Sequence, residues 1–119
     1  MSTQGTQVQI FGVKGDADTR KALRFFAERR IKTHFVDFKQ KGPSPRELQR
    51  FVSKYGVDQV LDRESKRFQN KGLGTAHLSD TRWVEKMIEE PLIIRMPLTR
   101  YGNHVSVGFD PDAWKGWLG

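Results

Sequence analysis

The fold is decided by one stretch near the start of the chain, Ile10-Phe11-Gly12-Val13-Lys14-Gly15-Asp16-Ala17-Asp18-Thr19-Arg20-Lys21-Ala22. The β-branched and aromatic residues that run from Val8 to Val13 predict a first strand. Gly15 and the polar residues after it predict a tight turn. A helix follows, and the side chain of Asp16 or Asp18 can cap it by accepting its first backbone N–H groups. The stretch therefore predicts a strand, a turn and a helix in immediate succession.

The predicted first helix has an apolar stripe on one face and a basic opposite face. Its predicted buried positions follow helical spacing and are Leu23, Phe26, Ala27 and Ile31. The basic residues of the other face are Arg20, Lys21, Arg24 and Arg29. A β-rich run over residues 33–38 predicts strand two after this helix.

The sequence pattern predicts a helical insertion in the middle of the chain, between the first two strands and the last two. Ser44, Pro45 and Glu47 form a strong helix start, with Ser at the cap and Pro at the first helical position. This helix is predicted to end at Gly56 and to bury Leu48, Phe51, Val52 and Tyr55. A short helix over 58–61 and a basic loop up to residue 74 follow. Ser79 or Asp80 caps a further helix that ends before Pro91 and buries Val84, Met87 and Ile88.

The C-terminal third predicts a hairpin and a last helix. Strand three covers residues 92–99, a turn covers 101–103, and strand four covers 104–109. Asp110 caps the last helix, which packs through Ala113, Trp114, Trp117 and Leu118. The order βαβ…ββα predicts an α/β fold of thioredoxin topology, with a four-stranded mixed sheet and a helical insertion. We expect a disordered lead-in over 1–6 and a single domain over 7–119.

Composition removes several chemistries at once. The 119 residues contain no cysteine, so the chain has no disulfide, thiolate nucleophile or zinc–thiolate site. The histidines His34, His77 and His104 are too widely spaced to predict a metal site, and no cofactor is predicted. No apolar stretch approaches the roughly 20 residues that span a bilayer, so we expect no membrane association and a cytoplasmic location. The net charge of +7 suits an anionic partner.

Four parts of the chain resemble the arsenate reductase family, which has the thioredoxin fold and includes an Spx-like regulatory branch. The stretch quoted above resembles the family's active-site loop, and the resemblance places the redox cysteine at Asp16. Arg63 takes the place of a substrate-binding arginine. Residues 91–97 have the family's Pro-x5-Pro spacing, which makes Pro97 the cis-proline that faces the loop. Residues 105–109 match the family's Val-Gly-aromatic strand, but Met96 stands where the family usually has arginine.

The change at residue 16 excludes thiol-based arsenate reduction, because a carboxylate cannot form a bond to arsenic that thiol exchange later resolves. Oxyanion binding without reduction stays open, since a helix N-terminus and nearby cations favour anions. The candidate anion-binding residues are Lys14, Gly15, Asp16, Ala17, Asp18, Thr19, Arg20, Arg63 and Arg95, with Met96 and Pro97 as structural neighbours. The alternative is that Asp16 and Asp18 are only helix caps and Arg63 is a surface arginine.

Two kinds of function remain. The leading prediction is a non-reducing protein that binds or senses an arsenate-like oxyanion at the altered loop. The runner-up is an Spx-like regulator that acts through a protein partner. The resemblance implies RNA polymerase as that partner, and the basic charge of the chain suits an acidic protein surface. Nucleic-acid binding is expected to be weak and non-specific at most, because aromatic and basic residues interleave poorly.

Overall fold

The computed structural model describes residues 7–119, so the predicted lead-in over 1–6 lies outside the described residues. The fold groups into two compact units. One contains residues 7–37 together with Met96–Gly119, and the other is Phe38–Arg95. The expectation that 7–119 acts as a single domain stays a prediction.

The elements follow the predicted order, with one added helix. In chain order they are β1 (Val8–Gly12), α1 (Ala17–Glu28), β2 (Thr33–Asp37), α2 (Pro45–Tyr55), α3 (Val57–Val60), α4 (Lys66–Asn70), α5 (Asp80–Glu89), β3 (Leu98–Tyr101), β4 (His104–Val107) and α6 (Pro111–Trp117). Short 3₁₀ turns lie at Leu73–Thr75 and Pro91–Ile93.

All four strands belong to the first unit and form one mixed sheet of order β2-β1-β3-β4. β1 is parallel to β2 and antiparallel to β3, and β3 is antiparallel to β4. Parallel pairing of β1 and β2 requires a crossover, which α1 supplies, whereas β3 and β4 are joined by a tight turn at Gly102. The predicted α/β fold with a four-stranded mixed sheet is confirmed.

The core of the first unit packs α1 and α6 on the sheet. Its buried members are Val8, Ile10, Ala22, Phe25, Phe26 and Trp114. The indole of Trp114 meets the rings of Phe25 and Phe26, with ring centroids 5.2 and 5.4 Å away. Ala113, Trp117 and Leu118 pack against this cluster, as predicted for the last helix.

The buried face of α1 differs from the predicted stripe. Its buried residues are Thr19, Ala22, Phe25 and Phe26. Ala27 is exposed, while Leu23 and Ile31 are only partly buried at the margin of the core. The sequence pattern did not predict this face correctly, because one of its buried residues, Thr19, is polar and an apolar pattern does not include it.

Strand three was predicted over residues 92–99, whereas β3 covers Leu98–Tyr101. Residues 91–93 form a 3₁₀ turn, and Ile94 makes an isolated bridge to Leu61 in the second unit. The ladder to β1 begins only at Leu98. The physical reason is Pro97, which has no N–H to donate to a sheet. Strands one, two and four, by contrast, end one or two residues earlier than predicted.

The second unit consists of helices, and most of its predicted starts are confirmed. Ser44 caps α2 by accepting from Glu47 N at 3.1 Å, and Ser79 caps α5. Of the predicted apolar face of α2, Leu48 and Phe51 are fully buried, and the helix ends at Gly56 with a φ of 83°.

The basic loop predicted after residue 61 contains a helix that the pattern missed. Ser65 caps α4, and Phe68 is the buried residue of this helix. A five-residue helix with one apolar residue has no periodicity to detect. The ring of Phe68 stacks on Trp83 at 5.8 Å, so α5 buries Trp83 with Met87, while Val84 and Ile88 are only partly buried.

Ser106→Ala is expected to lower the free energy of unfolding by about 1–2 kcal/mol. Ser106 Oγ accepts from Trp114 Nε1 at 2.8 Å, and both side chains are fully buried, so the variant leaves a buried indole N–H without its acceptor. Urea denaturation measures the change. The control is Ser53→Ala, which removes an exposed hydroxyl on α2. Equal small changes in both variants would show that this hydrogen bond adds nothing to stability.

Candidate functional site

The turn between β1 and α1 is held by the side chain of Asp16. This residue is the N-cap of α1, with extended backbone angles (φ −82°, ψ 128°). Its Oδ2 accepts from the backbone N–H of Thr19 at 2.8 Å and from the Thr19 hydroxyl at 2.9 Å. Of the two predicted caps, Asp16 is therefore the one used. Its carboxylate lies where a helix N-terminus attracts an anion.

Gly12 allows α1 to approach the end of β1. A Cβ atom on Gly12 would lie 2.5 Å from Thr19 Oγ1 and 3.1 Å from Thr19 Cγ2, and Thr19 is fully buried. Gly12 was not among the predicted site residues. The sequence signal for Gly12 is its position at the end of the first strand, ahead of an aspartate cap and of a threonine three residues after that cap.

Arg20 binds the turn rather than facing away from it. Its Nη1 donates to the carbonyl oxygens of Lys14 and Gly15, both at 2.9 Å. Lys14 Nζ lies 5.7 Å from the centre of the Phe35 ring. Arg20 therefore holds the backbone of the same loop that Asp16 caps.

The remaining loop residues lie at or near the surface. Gly15 and Ala17 are exposed, and a Cβ on Gly15 would meet nothing within 4 Å. Asp18 lies in the first turn of α1, 4.0 Å from Lys21 Nζ, with 47% of its side chain exposed. An exposed pair at this separation contributes little to stability. The structure thus brings together the seven predicted residues 14–20 at one turn.

Arg63 belongs to the second unit, where its guanidinium has partners of its own. Its Nη2 lies 3.0 Å from Asp58 Oδ1. The guanidinium carbon is 5.1 Å from the ring centre of Trp83 and 5.9 Å from that of Phe68. One carboxylate and two aromatic rings therefore orient Arg63. Its role at the loop stays a prediction.

Arg95 and Met96 lie at the junction before β3. Arg95 Nε donates to the carbonyl of Gln59 at 3.0 Å, and its backbone N–H donates to Val60. The Met96–Pro97 peptide is cis, as the Pro-x5-Pro spacing suggested. The ladder between β1 and β3 ends at the pair Phe11–Leu98. Pro97 directly precedes Leu98, so it lies at the same end of the sheet as the start of the loop that follows β1.

This loop can hold charge but cannot carry thiol chemistry. Residue 16 offers a carboxylate, and the whole chain contains no cysteine. Among residues 7–119, no three His, Asp or Glu side chains are grouped so that they could hold a metal ion. No helix in this part of the chain is long and apolar enough to cross a membrane. The loop therefore presents the N-terminus of α1, capped by Asp16, with the cations of Lys14 and Arg20 beside it.

The sheet order, the loop before α1 and the cis-proline beside it define a protein of the thioredoxin-like fold. The model of the ArsC family matches residues 11–117. The chain belongs to this family, and it is a member without a cysteine.

Relatives of the chain include proteins of different descriptions. It is 25% identical over 100 residues to YusI of Bacillus subtilis (strain 168), covering 81% of this chain and 85% of YusI. It is also 25% identical over 88 residues to the regulatory protein MgsR of the same organism, covering 68% and 70%. Among solved structures, the YFFB (PA3664) protein has a TM-score of 0.84 and 27% identity, with 94% of this chain and 99% of that chain covered.

Proposed function

We propose that this protein is a non-reducing member of the ArsC family that acts by binding a protein partner. The observation that carries the non-reducing part of the proposal is the hydrogen bonding of Asp16, and the charge and one relative support partner binding. The carboxylate of Asp16 accepts from two groups of Thr19 at the position where the family resemblance places the redox cysteine. An internal anion at the helix N-terminus replaces the nucleophile and competes with any oxyanion substrate.

Three arginines support the same proposal through the partners they already have. Arg20 binds two loop carbonyls, Arg63 binds Asp58, and Arg95 binds the Gln59 carbonyl. A guanidinium whose N–H groups already donate to the protein must break those hydrogen bonds before it can bind an oxyanion. This reduces the net free energy gained on binding the oxyanion. These interactions favour a loop that is complete without a ligand.

Oxyanion binding, the leading prediction from the sequence, keeps some support from the loop. The first turn of α1 attracts anions, and Lys14 and Gly15 are exposed beside it. The carboxylate of Asp16 opposes a second anion there by charge repulsion. We therefore expect weak binding of arsenate-like anions by the parent protein.

A regulatory role is supported by charge and by one relative. The chain carries a net charge of +7, which suits an acidic surface, and one of its relatives is described as a regulatory protein. The Spx-like resemblance suggests RNA polymerase as the partner, with the interaction taking place in the cytoplasm. Because residue 16 is not a thiol, such a role would not respond to thiol oxidation.

The test of partner binding uses the tagged full-length protein and purified RNA polymerase. We expect a complex that survives size-exclusion chromatography, and Asp16→Ser is expected to leave it intact because the loop is not the binding surface. Absence of a complex at micromolar concentrations of both components would contradict the proposed partner.

The purified protein is expected to reduce no arsenate with glutathione, glutaredoxin or thioredoxin as electron donor. No residue of the chain can form the thiolate on which the family reaction depends. A coupled assay that follows donor oxidation measures the rate, and a cysteine-containing arsenate reductase serves as the positive control. Turnover above background that Arg63→Ala abolishes would overturn the non-reducing assignment.

A further inference from the structure

β2 is the more accessible of the two strands at the edges of the sheet. The strand order places β2 at one edge and β4 at the other. None of the five residues of β2 is buried, and the apolar residues Phe35 and Val36, on opposite faces of the strand, are both partly exposed. In β4, by contrast, Val105 and Ser106 are buried. Solvent therefore reaches the sheet of the first unit chiefly along β2.

The backbone of β2 presents hydrogen-bonding groups on the side away from β1. Val8 pairs with Thr33 in a parallel ladder, and Val8 N donates to the carbonyl of Lys32 at 2.9 Å. The groups that face β1 therefore belong to the residues on either side of Thr33, and the same alternation applies at Phe35. The outward N–H and C=O groups of Thr33 and Phe35 have no hydrogen-bond partner among residues 7–119. Such a row of groups is a template for an additional strand.

The turn that leads into β2 is basic. Six of the seven charged residues between positions 20 and 32 are basic. One of them, Arg29, is held by its own helix, because its Nη1 donates to the carbonyl of Phe25 at 3.1 Å. Arg30 and Lys32 lie directly before the strand, are exposed, and form no ion pair within the described part of the chain. Two cations without a carboxylate partner there therefore flank the beginning of the β2 edge.

Arg30 occupies a backbone position that favours glycine. Its N–H donates to Ala27 O at 3.0 Å, and Ile31 N–H donates to Phe26 O at 2.9 Å, which is the Schellman arrangement at the end of a helix. The residue at this position is left-handed, and Arg30 has a φ of 58°. Glycine adopts this conformation without the steric cost that a side chain brings. The fold of the turn therefore does not require the arginine, and its exposed charge is available to a partner.

We propose that the edge of β2 binds an extended acidic segment of the protein partner, which adds to the sheet as a further strand. This rests on the proposed function, because it names the surface at which the partner binds. The backbone of the segment pairs with the outward N–H and C=O groups of Thr33 and Phe35. Its carboxylates pair with Arg30 and Lys32, and a guanidinium binds a carboxylate in a bidentate manner.

A peptide fits this edge better than a nucleic acid does. A phosphate group accepts hydrogen bonds at neutral pH but donates none, whereas the edge also presents the carbonyl groups of Thr33 and Phe35, which need donors. Only a backbone with both N–H and C=O groups satisfies both kinds of group along the strand. The observations therefore favour an extended peptide over a phosphate chain.

A second copy of the chain also fits this edge less well. Lys14 Nζ lies 5.7 Å from the centre of the Phe35 ring, at the end of the sheet opposite to Arg30 and Lys32. Antiparallel pairing of two β2 strands would bring Lys14 of one copy towards the two cations of the other. Each copy also carries a net charge of +7, so like charges oppose this pairing.

The test uses a fluorescent peptide of about ten residues that alternates valine and threonine and carries glutamates at both ends. Glutamates at both ends place carboxylates beside Arg30 and Lys32 in either strand direction. A control peptide has proline at its two central positions, which removes backbone donors and leaves the charge unchanged.

The protein variant is Arg30→Gly/Lys32→Gln, which removes both cations and gives the left-handed position its preferred residue. Its melting temperature is expected to equal or exceed that of the parent, because glycine relieves the left-handed strain. The matched control is Lys21→Gln/Lys115→Gln, which removes the same charge from exposed positions on α1 and α6.

Anisotropy at about 50 mM salt is expected to show about tenfold weaker peptide binding by Arg30→Gly/Lys32→Gln. The control variant is expected to lose less than about twofold, and the proline peptide to bind the parent at least about fivefold more weakly. Amide hydrogen exchange at Thr33 and Phe35 of the parent should slow at least about tenfold with saturating peptide, because these N–H groups become hydrogen-bonded. This second measurement needs no variant to fold.

Three outcomes would overturn the edge of β2 as the docking surface. These are equal losses in both variants, equal binding of the two peptides, and unchanged exchange at Thr33 and Phe35 while the peptide is bound. Slow exchange at these amides in the protein alone, lost on dilution, would instead identify a second copy as the occupant. Tighter binding of a duplex DNA of about 20 base pairs, abolished by Arg30→Gly/Lys32→Gln, would identify a nucleic acid.

The RNA polymerase complex separates this proposal from the broader one. Retention of polymerase by Arg30→Gly/Lys32→Gln contradicts the surface and leaves partner binding in place. Loss of polymerase by that variant, but not by Lys21→Gln/Lys115→Gln, supports both proposals. Absence of a complex with the parent contradicts polymerase as the partner, and the peptide measurements then decide the edge of β2 by themselves.

Discussion

Asp16→Ser is expected to bind arsenate, phosphate or sulfate about tenfold more tightly than the parent protein. The variant removes a carboxylate that now accepts from Thr19 N and Thr19 Oγ1 at the N-terminus of α1. Two like charges about 5 Å apart at a protein surface repel by roughly 1–3 kcal/mol, and tenfold corresponds to about 1.4 kcal/mol. Serine still caps the helix, so the loss of stability should stay below about 1 kcal/mol.

Calorimetric titration of both proteins at one ionic strength measures this gain. Asp18→Ser is the control, because it removes the same charge from the first turn of α1 without touching the cap. We expect less than about a threefold gain from it. Unchanged or weaker binding in Asp16→Ser would mean that the loop is not an anion site or that Asp16 is needed to hold its shape. A melting curve of the variant separates these two explanations.

Gly12→Ala is expected to lower the free energy of unfolding by about 3 kcal/mol. The added methyl group would lie 2.5 Å from the hydroxyl oxygen of Thr19. The side chain of Thr19 cannot easily move away, because it is fully buried and its hydroxyl donates a hydrogen bond to Asp16. The clash must therefore displace the first turn of α1, and the loop would lose its cap geometry.

Chemical denaturation measures this loss, and two further variants show where it comes from. Gly15→Ala introduces the same methyl group where nothing lies within 4 Å, so its effect should stay within about 0.5 kcal/mol. Thr19→Ala removes the two closest atoms, so Gly12→Ala should cost at most about half as much in that background. An undiminished cost there would place the strain elsewhere than against Thr19.

Anion binding at the loop and binding of a protein partner are tested by separate measurements. Asp16→Ser should change the affinity for anions and leave the polymerase complex intact. The two results together distinguish a ligand sensor from a regulator.

Local patterns predicted most of the elements correctly. A cap such as Ser44 or Ser79 acts on a backbone N–H three residues away, so its effect is visible in a short window of sequence. The same locality explains why α4 was missed. Its cap at Ser65 resembles many loop serines, and a single buried Phe68 makes no stripe.

Long-range packing is what the patterns could not supply. The buried face of α1 includes Thr19 because Asp16 satisfies its hydroxyl, and Trp83 is buried because α4 brings Phe68 against it. The place of Arg63 at the loop stays a prediction from the resemblance, and its contacts within the second unit, with Asp58 and two rings, were not predicted. Each of these facts depends on a contact that neither partner reveals alone.

The sequence by itself determined that this protein cannot use a thiolate, because the chain has no cysteine and an aspartate stands at the start of its first helix. It also determined the order of the strands and of every helix except α4, since strand and helix periods are local properties. Only the tertiary structure decided which of two aspartates caps α1, why Gly12 must lack a side chain, and which groups hold the arginines. Those outcomes depend on side chains that come into contact only after the backbone has folded. The hydrogen bonds and steric contacts formed there decide, for example, between Asp16 and Asp18 as the cap, which the sequence alone does not distinguish.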